Sequence, residues 1–423
     1  MMLSPALDLF PLLAAILAAV CCALLGNFLV LRRISLMGDA MSHSVLPGLV
    51  IAFLITGSRS APVMFVGAAL AGIATVVLVE LIKRLGRVEP GAAMGVVFSV
   101  LFALGVLLIE RAARNTELDA DCVLHGQLES LVWDGPSSWS ALGLSEVIQA
   151  APPSIWTLVI TCVLAILLVV VLFKELRLAA FDPAFGTSQG FSATALHYVL
   201  MVFVAGATVA AFEAVGSILV IAMLIVPASI ARLLTDRLAS QIMVSVVAAI
   251  AAAVSGYIGS FAIPDALGVT EVNAAGSMTV VLGLILVAAA ALGPRYGVLA
   301  SIVRRGRMAR RIALDNLLAS VFRAEERGRS VSAAVRSSTL ARARRRGFVK
   351  PDAVELTATG RAAAAAVVRR HRMWESYLVD EAGLAQDHVH APAEQLEHLM
   401  DTTPNESTGR DPHGRPIPGT SSD

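Results

Sequence analysis

The apolar positions along this chain fall in long unbroken runs, not in the alternation of a half-buried strand or the stripe of a surface helix. Examples are "LFPLLAAILAAVCCALLGNFLVL" and "TVVLGLILVAAAALG". A bilayer core takes about 20 apolar residues in a helix. Nine runs qualify as spans: 9–31, 40–57, 61–82, 91–110, 155–173, 191–212, 214–233, 238–263 and 275–302. The sixth and seventh share one apolar stretch, too long for a single span. It is interrupted at "FEAVG", so Glu213 and Gly216 are expected to mark a tight turn. The fold class expected is an all-α polytopic membrane protein of about nine transmembrane helices, followed by a C-terminal α+β winged-helix-like cytoplasmic domain.

Composition agrees. Of 423 residues, 57% are hydrophobic and 15% charged, against roughly 25% charged in a soluble domain. Lys and Arg follow the odd-numbered spans, at Arg32-Arg33, Lys83-Arg84-Arg87, Lys174-Arg177, Arg232-Arg237 and Arg304-Arg305. The positive-inside rule then puts the N-terminus outside and the C-terminus in the cytoplasm, with Arg111 and Arg114 of an external loop running against the pattern. No Lys or Arg precedes Arg32, so the start lacks the basic region of a cleaved signal peptide. Cys21, Cys22 and Cys162 lie within spans and Cys122 in a loop, with no metal-ribbon spacing.

The chemistry that breaks the apolar pattern is "LMGDAMSHSVLPG". Asp39 and His43 stand four residues apart, on one helix face. Carboxylate plus imidazole is a ligand pair for a first-row divalent metal, and Pro47 kinks the helix beside them. A broken helix next to ionisable groups is the pattern of a transporter site. The alternative is structural: Asp39 complementing the helix dipole and His43 hydrogen-bonded between helices. Pro227 breaks a second span and frees the carbonyl of Met223, whereas His197 reads as structural. The cytoplasmic segments "FDPAFGTSQG" and "RLLTDRLASQ" are either docking loops, with Asp182, Pro183, Arg232, Asp236 and Arg237 as contacts, or ordinary solvated loops. There is no phosphate-binding G-x-x-x-x-G-K-[ST] and no H-E-x-x-H, so ATP hydrolysis would come from a separate subunit and the chain is read as non-enzymatic.

Three segments, "LVLRRISLMGDAMSHSVLPGLVIAFL", "FDPAFGTSQGFSATALHYVLMVF" and "FEAVGSILVIAMLIVPASIARLLTDRL", resemble the metal-ion class of ABC-transporter permeases. That resemblance implies import of manganese, zinc or iron, with Asp39 and His43 lining the metal path. It also implies three partners: an ABC ATPase, an extracytoplasmic metal-binding protein and a second permease copy, identical or paired.

After residue 303 the composition turns soluble. Segments are expected at 304–360 (degenerate winged helix, with a short strand pair), 361–401 (helical, metal-binding and dimerising) and 402–423 (a polar tail). His371 and Glu375, His390 and Glu394, and Glu394 and His398 are each four apart, with Glu397 alongside. "RRHRMWESYL", "DHVHAPAEQLEHLM" and "DPHGRPIP" resemble the diphtheria toxin repressor and manganese-responsive repressor family. This implies metal ligation by His371, Glu375, His390, Glu394, Glu397, His398 and Asp315, and regulation by manganese, or else zinc or iron. A further ligand position of that family falls on Leu318, which cannot bind metal. The recognition-helix segment Arg329 to Arg346 and the stretch "MDTTPNESTGR" are short for that family, which argues against sequence-specific DNA binding. The leading reading is a divalent-metal ABC permease, manganese first, with a metal-sensing tail. The second is a membrane-tethered transcriptional regulator.

Overall fold

The computed structural model describes residues 4–58, 61–112, 128, 131, 133, 143–268, 272–329, 336–399 and 409–419. The chain divides into two compact units, Met1–Ala300 and Ser301–Asp423.

Among the described residues nine long apolar helices build the first unit: α1 (Pro5–Leu31), α2 (Leu36–Thr56), α3 (Ala61–Gly86), α4 (Pro90–Ala112), α6 (Pro153–Val171), α9 (Ala193–Val215), α10 (Ser217–Leu234), α11 (Leu238–Leu267) and α12 (Ala274–Leu292). Short helices accompany them, α5 (Leu144–Ala150), α7 (Phe173–Phe181) and α8 (Pro183–Ser188). In their described residues eight of them are long and apolar enough to cross a bilayer. α2 completes the set, with Ser44–Thr56 as its described apolar part. Asp39 and His43 fall in the first half of that helix.

The break expected at "FEAVG" falls on Gly216 alone, and Glu213 stays within the helix. α9 ends at Val215, and Gly216 takes φ +79° before α10 begins, a conformation open to glycine because it lacks a Cβ. The ninth span differs from expectation. It stops at Leu292 and does not reach residue 302. Pro294 cannot continue a helix, and a Cβ at Gly293 would crowd the Ala289 carbonyl.

α1 runs through the centre of this unit, in contact with α6, α9, α10 and α11. Its Ala14, Ala15, Ala18, Ala19, Cys22 and Ala23 are buried. Small side chains let helix backbones approach closely, which drives packing where lipid removes the hydrophobic advantage. At Gly26 the approach is extreme, since any Cβ would collide with the Leu224 carbonyl of α10. One buried polar cluster joins α1 to α11: Asn27 Nδ2 donates to Ser245 Oγ at 2.6 Å, and Gln241 Nε2 donates to Asn27 Oδ1 at 3.1 Å.

The second unit comprises α13 (Val298–Glu326, shared with the first), α14 (Ser337–Arg345), α15 (Ala358–Asp380) and α16 (His390–Leu399). Its core joins Leu314, Leu317, Leu318 and Val321 of α13 to Ala343, Val349, Leu356 and Ala364. The expected strand pair is not formed. Among the described residues the unit holds two isolated bridges, Val349↔Leu356 and Arg410↔Pro416, and no strand. Only the turn Lys350–Glu355 separates the first pair, and α15 starts at once afterwards, so no ladder can extend.

Candidate metal sites

α2 begins at Leu36, earlier than the expected span, so residues 39 and 43 stand one helical turn apart in its first half. The side chains of Asp39 and His43 lie outside the described residues. Ser44 Oγ donates to Met41 O at 3.0 Å and accepts from Thr75 Oγ1 of α3 at 2.6 Å. One turn later Gly105 of α4 seats against the Pro47 ring, and Gly48 and Gly67 bring α2 and α3 into backbone contact. His197, expected to be structural, has its Nδ1 3.2 Å from Arg32 Nη1.

The five loop residues are all exposed. Asp182 caps α8 by accepting from Phe185 N at 2.9 Å, and Pro183 occupies the first helical position, where its missing N–H costs nothing. Phe181 and Phe185 project outward beside them. Arg232 lies in the last turn of α10 and Arg237 at the start of α11. Asp236, between them, accepts from Tyr296 Oη at 2.9 Å and pairs with Arg295.

In the second unit α15 presents Val367, Val368, Trp374 and Leu378 to the core, and Thr357 caps it by accepting from Gly360 N at 3.0 Å. His371 and Glu375 lie on the same helix and are buried. His390 opens α16, which packs on α15. The three side chains converge. His371 Nε2 is 3.0 Å from Glu375 Oε1, His390 Nδ1 is 2.9 Å from the same oxygen, and the two imidazole nitrogens are 2.9 Å apart. Ligands at right angles on an ion with bonds of about 2.1 Å stand about 3 Å apart, so the triangle matches one face of a divalent cation's shell.

Burial works against a charged His371, but its hydrogen bonds to Glu375 and Glu397 outweigh that and raise its pKa. Burial likewise opposes the Glu375 carboxylate, yet His371 and His390 pull it down to about 2. The cluster is thus a buried anionic acceptor beside two imidazoles, the donor set of a nitrogen-and-oxygen metal site.

The other sequence candidates form a looser chain. His398 Nε2 is 3.3 Å from Glu397 Oε1 and 3.0 Å from Asn316 Oδ1, and its Nδ1 is 3.9 Å from Asp315 Oδ2. Glu394 reaches this group through Asn316 Nδ2 at 3.5 Å. Among the described residues, His371, Glu375 and His390 are the sequence candidates whose ligand atoms all lie within 4.8 Å of one another. Leu318, where a ligand is missing, is part of the hydrophobic core. Three residues near the clusters drew no role from the sequence: Asn316, Asp411 and His413. The "DPHGRPIP" motif holds the last two, but its spacing to His371 gives no local pattern.

Residues 9–134 and 142–293 match the ABC 3 transport family. Residues 357–419 match the iron dependent repressor, metal binding and dimerisation domain. The manganese transport system membrane protein MntD of Bacillus subtilis (strain 168) is 37% identical over 289 residues, covering 68% of this chain and 93% of that protein. The zinc transport system membrane protein TroD of Treponema pallidum (strain Nichols) is 36% identical over 303 residues, 72% of this chain and 77% of that one. Among solved structures, PsaBC from Streptococcus pneumoniae in complex with Fab aligns with a TM-score of 0.55 at 27% identity, over 68% of this chain and 92% of that chain. With both halves of its helical bundle matched in order, the chain belongs to the ABC 3 transport family.

Proposed function

We propose that this chain is the permease of an ABC importer for a divalent first-row metal, manganese before zinc or iron, whose cytoplasmic C-terminal unit senses the imported metal. Family membership over residues 9–293 carries the transport reading. The relatives named above are manganese and zinc transport proteins. Asp39 and His43, one turn apart in the first half of α2, supply the ligands of the ion path. An ATPase subunit drives the cycle by docking on the exposed "FDPAF" and "TDR" segments, through Asp182, Pro183, Arg232, Asp236 and Arg237. An external binding protein delivers the ion, and a second permease copy completes the channel. The N-terminus lies outside and the C-terminal unit in the cytoplasm, in keeping with the basic residues after odd-numbered spans.

The sensing role rests on the convergence of His371, Glu375 and His390. Metal bound there reports that import has sufficed and inhibits the permease. The second ligand group, with Asp315, Glu394, Glu397 and His398, binds more weakly because Leu318 takes the place of a donor.

The test is uptake of labelled Mn²⁺, Zn²⁺ and Fe²⁺ by cells carrying the permease and its ATPase. Asp39→Ala and His43→Ala are each expected to abolish uptake while the protein still inserts. Deleting residues 304–423 is expected to leave uptake active but unresponsive to internal metal. Normal uptake by both pore variants would overturn the ion path, and intact feedback in the deletion would overturn the sensor.

A further inference from the structure

We propose that the C-terminal turn supplies a further divalent-cation position, distinct from the group of Asp315, Glu394, Glu397 and His398, held by Glu375, Asp411 and His413 and bridged through Glu375 to the position held by His371, Glu375 and His390. The inference rests on reading the first cluster as a metal site.

The ligand atoms of Glu375, Asp411 and His413 all lie within 4.8 Å of one another. On one ion, with bonds of about 2.0 to 2.4 Å, no two ligand atoms stand farther apart than about 4.8 Å. The two triads share Glu375 yet do not merge into one set, which indicates two adjacent positions. Glu375 is built for bridging. Its Oε1 takes both imidazoles of the first cluster, leaving Oε2 for the other position.

An independent observation comes from Asp411. Its side chain is 0% exposed, and its Oδ2 accepts no hydrogen bond; the nearest cationic nitrogen is Arg372 Nε at 3.6 Å. Buried polar atoms in folded proteins are almost always paired, because leaving one unsatisfied forfeits its hydration. Arg372 balances its charge from that distance, and a metal ion in direct contact with Oδ2 would supply the close partner it lacks. Oδ1 is already committed, accepting from His413 N at 3.0 Å and Arg415 N at 2.7 Å. The carboxylate is therefore aimed by its own turn.

That turn needs no metal to form. Asp411 N donates to Arg415 O at 2.8 Å, Gly414 adopts φ +77°, and Arg372 Nη1 of α15 donates to Pro416 O at 2.6 Å. His413 is exposed and packs into no core, so its imidazole can be removed without loss of the scaffold. Arg323, Arg327, Arg329 and Arg415 line the same ≈ 550 Å³ cavity as Glu375, His390 and His413. Their field opposes a cation, which makes this further position the weaker of the bridged pair. The unit would then respond twice, first at the buried triad and again when internal metal is in excess.

The experiment is Mn²⁺ titration of the full-length chain in detergent, by calorimetry with bound metal counted after dialysis, on wild type, His413→Ala, Asp411→Asn and His371→Ala. The expected result is that His413→Ala and Asp411→Asn each lose one weakly bound Mn²⁺ per chain and keep the tighter event, whereas His371→Ala loses the tighter event. If both turn variants titrate as wild type while His371→Ala loses binding, the further position is overturned and the sensor stands. If His413→Ala weakens the tight event at unchanged stoichiometry, His413 serves a single ion and the bridged pair is overturned. If His371→Ala also titrates as wild type, the sensor reading itself falls.

Discussion

His371 Nδ1 lies 2.8 Å from Glu397 Oε2, a contact between residues 26 apart that joins α15 to α16. Both side chains are only 3% exposed. The opposite ring nitrogen, Nε2, faces Glu375 and His390. One imidazole therefore links the tight cluster to the looser group of Glu397, His398 and Asp315. A carboxylate that takes the Nδ1 proton fixes the tautomer that leaves the Nε2 lone pair for metal.

Glu397→Gln is accordingly expected to weaken Mn²⁺ binding at the first cluster by about 10- to 100-fold, the usual effect of losing such a supporting partner. Calorimetry on the full chain checks it. Unchanged affinity would mean that the ring is held by packing alone.

Arg372 follows His371 and is buried. It pairs with Glu326 at 2.6 Å, donates to Pro416 O and stands beside Asp411. Arg372→Ala leaves the buried Asp411 carboxylate without a cation, a change that costs about 3–5 kcal/mol where an ion pair is fully buried. Glu326 is one-third exposed, so the expected loss is nearer the lower bound. Hydrogen exchange should accelerate across residues 409–419 and the second half of α15; protection equal to wild type would contradict the anchoring role.

Gly48 and Gly67 hold α2 against α3 at the level of Pro47. A Cβ at Gly48 would collide with the Gly67 carbonyl oxygen, which is backbone and cannot rotate away. Gly48→Ala is expected to destabilise the detergent-solubilised protein by about 1–3 kcal/mol, as overpacking does. Uptake should fall with it, because the same contact positions the first half of α2. A thermal melt together with an uptake assay decides it, and wild-type values in both would dismiss the contact as incidental.

Orientation is tested by reporters. A fusion after Arg305 is expected to read as cytoplasmic and one at Asp134 as external, given the basic residues that follow odd-numbered spans. The opposite pattern would invert the whole arrangement and remove the sensor from the cytosol.

Much of this architecture was legible before any coordinates. Hydropathy run length is a local property, so all nine long helices and the Gly216 break could be read from the chain. Helical spacing is local too, which is why His371 and Glu375 were paired in advance. The end of α12 was misjudged because "ALGPRYGVLA" remains apolar past Gly293, and the Pro294 stop carries more weight than hydropathy there. The strand pair was misjudged because a β-ladder needs length on both sides of a turn, and α15 starts too soon.

What the tertiary structure alone decided is which distant groups meet. Leu318 marked a missing ligand in the sequence; in the fold it fills the core between α13 and α14. Glu397 was one carboxylate in a cluster; in the fold it is the hydrogen-bond partner of His371. Asp411 and His413 sat in a quoted motif with no assigned chemistry until the turn carried them to Glu375. Spacing along one helix follows from 3.6 residues per turn and can be read from the chain. Contacts made when α16 and the C-terminal turn fold back onto α15 depend on packing among residues tens of positions apart, and no local pattern encodes them.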